Sequence, residues 1–572
     1  MKKHTLIVFA IVLLINIVSA FFFYRFDLTS EKRFTISDNT KNLMRGLNSD
    51  LKVTIYLSGD LNMGFLRLKK ATAEMLDEFD VYTKSNISYE FVNPSKATST
   101  KERNKTYDLL QQKGMSPTVV YDKDSEGKLI QKVIFPWVEF VYQKDTVRVN
   151  LLKNLPGKSG DENLNISIEN LEFELTDAIR RITTQRNSPR VAFIEGHGEL
   201  EEPYVYSITS SLAKYYNVDR GTIGTDVSML DPYKVVIIAG PHDKFSETEK
   251  FIIDQYIMRG GKVLWLVDGV RTSLEALSQS STTVGIVNEV NLEDQLFTYG
   301  VRVDPVLIAD TQCAQIQVNV APANKEPQFE LAPWYYFPLL QPSPVNVITK
   351  NIAPVRSEFA SVVEFVGENQ DRNMKREVLL ISSNTTAVEI APMQISLDMV
   401  NTPPTAAYFN NRYVPVAVLM EGKFQSVFNN RMPPKNIQIN PNETIRSFGK
   451  KTKMIVIADG DIIRNDVQGF GTSAQPLPLG YDRNMDKQFG NGEFILNAVN
   501  YLADDQGWME LRAREIKLRL LDKQRIISQR VFWQTFNVVV PFVLLIVITL
   551  LYQWSRKRKY TREEKMPDEK SI

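Results

Sequence analysis

The sequence predicts an α/β protein built on a parallel sheet, and three stretches carry that reading. Arg190–Ile194 (RVAFI), Lys234–Ala239 (KVVIIA) and Lys262–Val267 (KVLWLV) are continuous apolar runs of strand length, separated by segments with helical spacing. An apolar run that does not alternate marks a strand covered on both faces, and strand–helix–strand repetition gives parallel strands joined by right-handed crossovers.

Each element follows from its local signals. RVAFI ends in Glu195-Gly196-His197-Gly198-Glu199, after which Val205, Ile208, Leu212 and Tyr215 recur at helical intervals. KVVIIA stops at Gly240-Pro241, and Ser246 with Glu249 then forms a capping box for a helix that Gly260-Gly261 terminates. KVLWLV ends at Asp268-Gly269. A further buried strand, Lys453–Ala458 (KMIVIA), ends at Asp459-Gly460-Asp461 and is expected to close the central sheet, with Phe494–Leu502 as its covering helix. The central domain is thus expected over residues 186–505, with an irregular, β-containing insertion at about 271–450 whose loops are marked by Pro403-Pro404 and Pro433-Pro434. Within it, Ser278–Thr283 reads as a loop, Leu292–Tyr299 as a helix stopped by Gly300, and Val306–Ala309 as a strand ending in Asp310.

A separate α/β unit precedes it over residues 25–185. Strands are expected at Leu51–Leu57, Ile87–Val92, Thr118–Tyr121 and Leu129–Val141, with helices at Phe65–Tyr82, Lys101–Lys113 and Ile168–Ile182. The order resembles a thioredoxin-like fold. No cysteine stands at the end of its first strand, where such an enzyme carries its redox pair.

Two apolar stretches flank these domains. Residues 5–24 have the length to cross a bilayer. Val18-Ser19-Ala20 offers a cleavage site for a signal peptide, whereas Phe21-Phe22-Phe23-Tyr24 continues the run as an aromatic belt and favours a retained anchor. The second stretch, 533–554, is bracketed by Trp533 and Trp554 and reads as transmembrane. A charged helix is expected at 506–532 before it and a basic tail at 555–572 after it. Two spans put both termini on one side; Arg556-Lys557-Arg558-Lys559 assigns them to the cytoplasm and the body to the extracytoplasmic side.

Composition excludes several classes. A net charge of +1 over 572 residues lacks the basic excess of a nucleic-acid binder. One cysteine, Cys313, rules out an internal disulfide or a CxxC motif, and three histidines (His4, His197, His242) leave few metal ligands. The chain has no GxxxxGK[ST], so ATP-driven work has to come from a partner. Cys313 lies in a stretch without the glycine-flanked elbow of a hydrolase nucleophile.

Ligands of open α/β sheets bind outside the carboxyl ends of the strands. Those ends carry Glu195, His197, Glu199 and His242 from the first two loops, and Asp268, Asp310, Asp459 and Asp461 from the later ones. These residues, Asp310 apart, are the candidate ligand or partner contacts. Acids after strands also make turns and cap helices, which accounts for Asp268 and Asp459 without a ligand. No metal, cofactor or catalytic residue is expected.

Taken in order, the RFDLT after the first apolar stretch, EGHGE, AGPHDKFSETEKFIIDQYIMRGGKVLWLVD, IADGD, REIKLRLLD and the terminal apolar stretch resemble the GldG family of gliding-motility-associated ABC-transporter components. The resemblance covers nearly the whole chain. It implies a flavodoxin-like or glutamine-amidotransferase-like sheet for the central domain. It also implies a non-enzymatic subunit of the inner membrane of a Bacteroidetes-type bacterium, partnered by a separate permease, a separate ATP-binding subunit, membrane lipid and gliding or secretion machinery. The alternative from another class is a structural scaffold of an envelope assembly that binds no small molecule; a third is a hydrolase using the His197 loop.

Overall fold

Ser37 accepts the Thr40 N–H and caps the first described helix, α1 (Asp38–Arg45), in a computed structural model that describes residues 35–123, 128–184, 188–319, 321, 326–367, 374–439, 444–469, 474–513 and 528–560. The chain divides into two units, Met1–Glu515 and Ile516–Ile572. The first is mixed α/β with several sheets.

Its amino-terminal sheet has four strands, β1 (Leu51–Ile55), β2 (Ile87–Phe91), β3 (Trp137–Tyr142) and β4 (Asp145–Asn150), in the order β2-β1-β3-β4. β1 and β2 run parallel because α2 (Met63–Tyr82) crosses between them, while β3 and β4 form a hairpin whose turn places Gln143 at φ 56°. Two expectations needed revision here. The run Leu129–Val141 is two strands, since Pro136 interrupts it: Leu129–Ile134 pairs with Thr118–Lys123 in a separate hairpin, and β3 begins at Trp137. The helix expected over Ile168–Ile182 is two, α4 (Gly160–Glu169) and α5 (Leu171–Thr184), the first opened by the Ser159/Glu162 capping box. α3 (Thr100–Gln112) lies between β2 and the hairpin in sequence.

The central sheet contains β5 (Arg190–Glu195), β6 (Asn217–Thr222), β7 (Tyr233–Ala239), β8 (Lys262–Leu266), β9 (Cys313–Asn319), β10 (Phe329–Pro342), β11 (Lys375–Ile381), β12 (Pro415–Gln425) and β13 (Phe448–Ile457). They pair in the order β9-β10-β11-β12-β13-β8-β7-β5-β6, with Val355–Arg356 added alongside β10. β6, β5, β7, β8 and β13 are all parallel, and β12, β11, β10 and β9 extend them antiparallel. Consecutive residues of the inner strands feed opposite layers. Val235, Ile237, Leu264 and Leu266 pack on the side of α6 (Glu202–Leu212) and α8 (Asn491–Ala503). Val236, Ile238, Val263 and Trp265 pack on the side of α7 (Glu247–Met258). This two-sided burial is why those strands are apolar from Val235 to Ala239 and from Val263 to Leu266.

The stretch from 271 to 450 is more ordered than expected. It supplies β9 to β12, so β13 sits inside the sheet between β8 and β12 rather than closing it. Ser278–Thr283, expected as a loop, spans the end of a helix (Leu274–Ser280) and the start of a strand (Thr282–Val287).

In the second unit α9 (Arg530–Tyr560) contains the expected 533–554 span. An 18-residue window within Arg530–Arg558 has a mean hydropathy of 2.4 and no buried residue, and α9 is the single helix among the described residues long and apolar enough to cross a membrane. Residues 5–24, most of the expected 506–532 helix, and the end of the basic tail lie outside the described residues, so the expectation of two transmembrane helices rests on the sequence. Where 506–513 is described, it forms a 3₁₀ turn at Trp508–Ala513.

Candidate functional site

The loop after β5 turns twice on Gly196 (φ +114°) and Gly198 (φ +74°), conformations that glycine adopts without a Cβ penalty. It is then tied to the loop after β7: the His242 and Asp243 N–H groups both donate to the His197 carbonyl at 2.8 Å, and Leu200 N–H donates to Ala239 O at 3.1 Å. These two strands flank the point where the strand order reverses, with α6 and α7 on opposite faces.

His197 is pinned at that junction. Its ring stacks on Phe245 with centroids 3.6 Å apart, Nδ1 lies 3.0 Å from Glu199 Oε1, and Nε2 lies 3.2 Å from Glu249 Oε1. Its backbone N–H also donates to Glu199 Oε2 at 2.6 Å. Burial penalises the imidazolium, but hydrogen bonds to Glu199 and then Glu249 outweigh it and raise the His197 pKa. With both nitrogens engaged, His197 has no free lone pair for a metal or for proton abstraction. Glu199 is consumed in the same contacts. Glu195 turns to the neighbouring strand and holds Arg220 at 2.7 Å.

The later strand ends behave differently. Gly460 packs against Gly240 so closely that a Cβ on Gly460 would lie 2.6 Å from the Gly240 Cα. Gly460 N–H donates to Asp268 Oδ1 at 2.7 Å. Asp459 is fully buried and accepts from the Glu358 N–H at 3.0 Å and the Asp461 N–H at 2.8 Å. Burial, reinforced by the charges of Asp268 and Asp461, pushes Asp459 well above the usual carboxylate range. Burial and the Asp461 charge push Asp268 up to about 7.

His242, Asp268 and Asp461 line one cavity of about 690 Å³ at the carboxyl ends of the parallel strands. Its outer wall comes from the 271–450 insertion, including Ile316, Phe337, Glu358 and Leu397. Four arginines join them: Arg271, Arg356, Arg464 and Arg483. Arg356 Nη1 holds Glu358 at 2.9 Å and its Nε faces Asp482 at 3.1 Å, while Arg464 Nη1 lies 3.3 Å from Asp461. Burial, only partly offset by Arg356, raises the Glu358 pKa. None of these arginines was legible as a site residue, because they come from segments far apart in sequence with no shared motif.

Asp310 and Cys313 are not in that lining. Asp310 is buried and accepts from Gln312 N–H, Ser383 N–H, Ser383 Oγ and Thr386 Oγ1, all within 2.9 Å. Burial and the Asp310 charge push the Cys313 thiol up to about 12, the opposite of an activated nucleophile. Another cavity, about 570 Å³, opens at the amino ends of the strands, where Asp505 takes up the charges of Lys234 and Lys262.

Comparison with known proteins gives a full-length relative and two remote structural likenesses. An uncharacterized protein of Borreliella burgdorferi is 19% identical over 550 residues, covering 94% of each chain. The mmIFT52 N-terminal domain superposes with a TM-score of 0.31 at 11% identity, covering 55% of this chain and 98% of that one. An exo-β-1,4-mannosidase from an Opitutaceae bacterium gives 0.18 at 10% identity over 70% of this chain and 46% of that one. Likenesses at these scores carry no argument. Residues 30–141 match a domain of unknown function. Residues 188–498, which hold the central sheet, its insertion and every strand-end residue described above, match the family model of an ABC-type uncharacterized transport system, and since that span exceeds half of the chain, the protein belongs to this ABC-transport auxiliary family.

Proposed function

We propose that this chain is a non-catalytic, membrane-anchored auxiliary or substrate-binding subunit of an ABC transporter of the GldG type, serving gliding motility with a separate permease and a separate ATPase. The observation that carries the reading is the family match over 188–498 in a chain without a phosphate-binding GxxxxGK[ST] loop. Three features support the details. The parallel strand order β6-β5-β7-β8-β13 supports a flavodoxin-like or glutamine-amidotransferase-like domain, and β2-β1-β3-β4 supports a thioredoxin-like one. The apolar helix α9 supports membrane attachment, and the basic residues Arg556–Lys559 at its carboxyl end support cytoplasmic termini with an extracytoplasmic body. The cavity at the strand ends supports ligand binding.

Solubilising native membranes in mild detergent and capturing the tagged full-length chain should recover a multi-span permease and an ATP-binding protein. Capture of the chain alone, in the presence of intact partners in the same membranes, would overturn the proposal. The envelope-scaffold reading draws on one specific observation, that Glu195, His197, Glu199 and Asp459 are all committed to internal contacts.

A further inference from the structure

The carboxyl-end cavity has two chemically distinct sides. One is apolar and is the open edge of a packed core: Val270, Leu277, Ile316, Phe337 and Phe359 belong to a single cluster of buried side chains and also line the cavity. Leu274, 40% exposed, extends it toward solvent. The other side is charged, with four arginines facing Asp268, Glu358, Asp461 and Asp466.

The formal charges balance, but their commitments do not. Glu358 is held by Arg356 at 2.9 Å and approached by Arg464 at 3.9 Å; Asp461 is held by Arg464; Asp268 accepts a backbone N–H. Burial also biases Asp268 and Glu358 toward their neutral forms, so the acids present less negative charge than their number suggests. On the cationic side Arg271 is left over, and Arg483 is held only loosely, by an Asp466 that is itself no more tightly engaged. Arg271 is exposed and has no carboxylate partner among the described residues, and the nearest carboxylate to Arg483 is Asp466, at a loose 3.8 Å. His242 Nδ1 is buried without a hydrogen-bond partner among the described residues. The uncommitted charge is therefore positive, and an arginine is suited to take a carboxylate or phosphate through two parallel hydrogen bonds.

We infer that this cavity binds a small anionic amphiphile, one carboxylate or phosphate group on an apolar arm, with Arg271 and Arg483 taking the head and the Leu274–Phe337 side taking the arm. The volume suits it: cavities of roughly 300–1,000 Å³ enclose ligands of drug-like size. The inference rests on the substrate-binding reading of the protein, and it names the ligand class.

The test uses the full-length chain in lipid nanodiscs, with empty nanodiscs as the reference, and four water-soluble probes of equal arm length: octanoate, octyl phosphate, octanol and octylamine. Saturation-transfer NMR and calorimetric titration should show saturable binding of octanoate or octyl phosphate, at least tenfold tighter than octanol or octylamine. The ratio of the two acids tells a carboxylate ligand from a phosphate one. Arg271→Ala combined with Arg483→Ala should weaken the acid tenfold or more with an unchanged Tm, whereas Arg302→Ala, on a surface strand elsewhere, should not. Equal or tighter binding of octylamine, an acid affinity insensitive to the double substitution, or no saturable binding by any probe would overturn it. Co-purification of the double variant with permease and ATPase separates this outcome from failure of the subunit assignment, since those partners should be retained either way.

Discussion

Gly460 and Asp268 are joined by a 2.7 Å hydrogen bond from the glycine N–H to Oδ1, and the same glycine abuts the Gly240 backbone. One position thereby sets the spacing of three loops at the carboxyl ends of β7, β8 and β13.

Gly460→Ala should therefore be destabilising for steric reasons. Its φ of −71° is ordinary, so no backbone strain is involved, but the new methyl would sit 2.6 Å from Gly240 Cα and 2.7 Å from Asp268 Oδ2. Overpacking of this kind costs about 1–3 kcal/mol. Gly221→Ala, where nothing lies within 4 Å of the added methyl, is the matched control and should leave stability nearly unchanged in urea unfolding. Equal midpoints for the two variants would contradict the close packing of these loops.

The His197 pin should make stability depend on pH in a defined window. The folded pKa of His197 lies above its ordinary 6.5, so its contribution is fully present below 6.5 and is lost as pH rises through the folded value. Burial opposes ionisation of Glu249, but hydrogen bonds from Ser246 and His197 lower its pKa below the usual 4.5, so its share is present above 4.5 and lost as pH falls further. His197→Gln should thus cost most stability between about pH 4.5 and 6.5 and less at pH 8.5. Denaturation midpoints of both proteins across that range would reveal the difference, and a gap that widens above pH 8 would refute the paired imidazolium.

Asp459→Asn should not be silent despite its near-identical shape. Both carboxyl oxygens accept backbone N–H groups, from Glu358 and Asp461, and an amide presents a donor to one of them. A buried N–H left without an acceptor costs about 1–3 kcal/mol, and Asp459→Ala, which abandons both, should cost more. Thermal unfolding that ranks wild type above Asn above Ala is the expected result.

Topology offers a further check. In spheroplasts an external protease should cut the body while a tag after Ile572 stays protected, as the basic residues Arg556–Lys559 at the carboxyl end of α9 direct. Loss of the tag with survival of the body would put the carboxyl-end cavity in the cytosol.

Much of the fold was legible in the linear order of residues, and the reasons are local. KVVIIA and KVLWLV announce strands covered on both faces because every position after their leading lysines is buried, and Ser246 with Glu249 marks a helix start that the structure reproduces as a full capping box. Asn217–Thr222 went unread because an edge strand, half exposed, needs no apolar pattern. Phe329–Pro342 went unread because its prolines signal breaks, yet it pairs with Cys313–Asn319 and reaches Lys375–Ile381, partners that only long-range association supplies.

The site divides along the same line. Sequence alone determined that polar groups gather at the carboxyl ends of parallel strands, since that follows from the strand–helix alternation. Only the tertiary structure decided which of them share a space. Glu195 was drawn to Arg220, and His197 to Glu199 and Glu249, whereas His242, Asp268 and Asp461 were left facing Arg271 and Arg356 from the insertion and Arg483 from beyond it. Periodicity encodes which face of an element is buried, but convergence of side chains separated by up to some hundreds of residues is set by how the folded layers close on one another, and no local pattern records it.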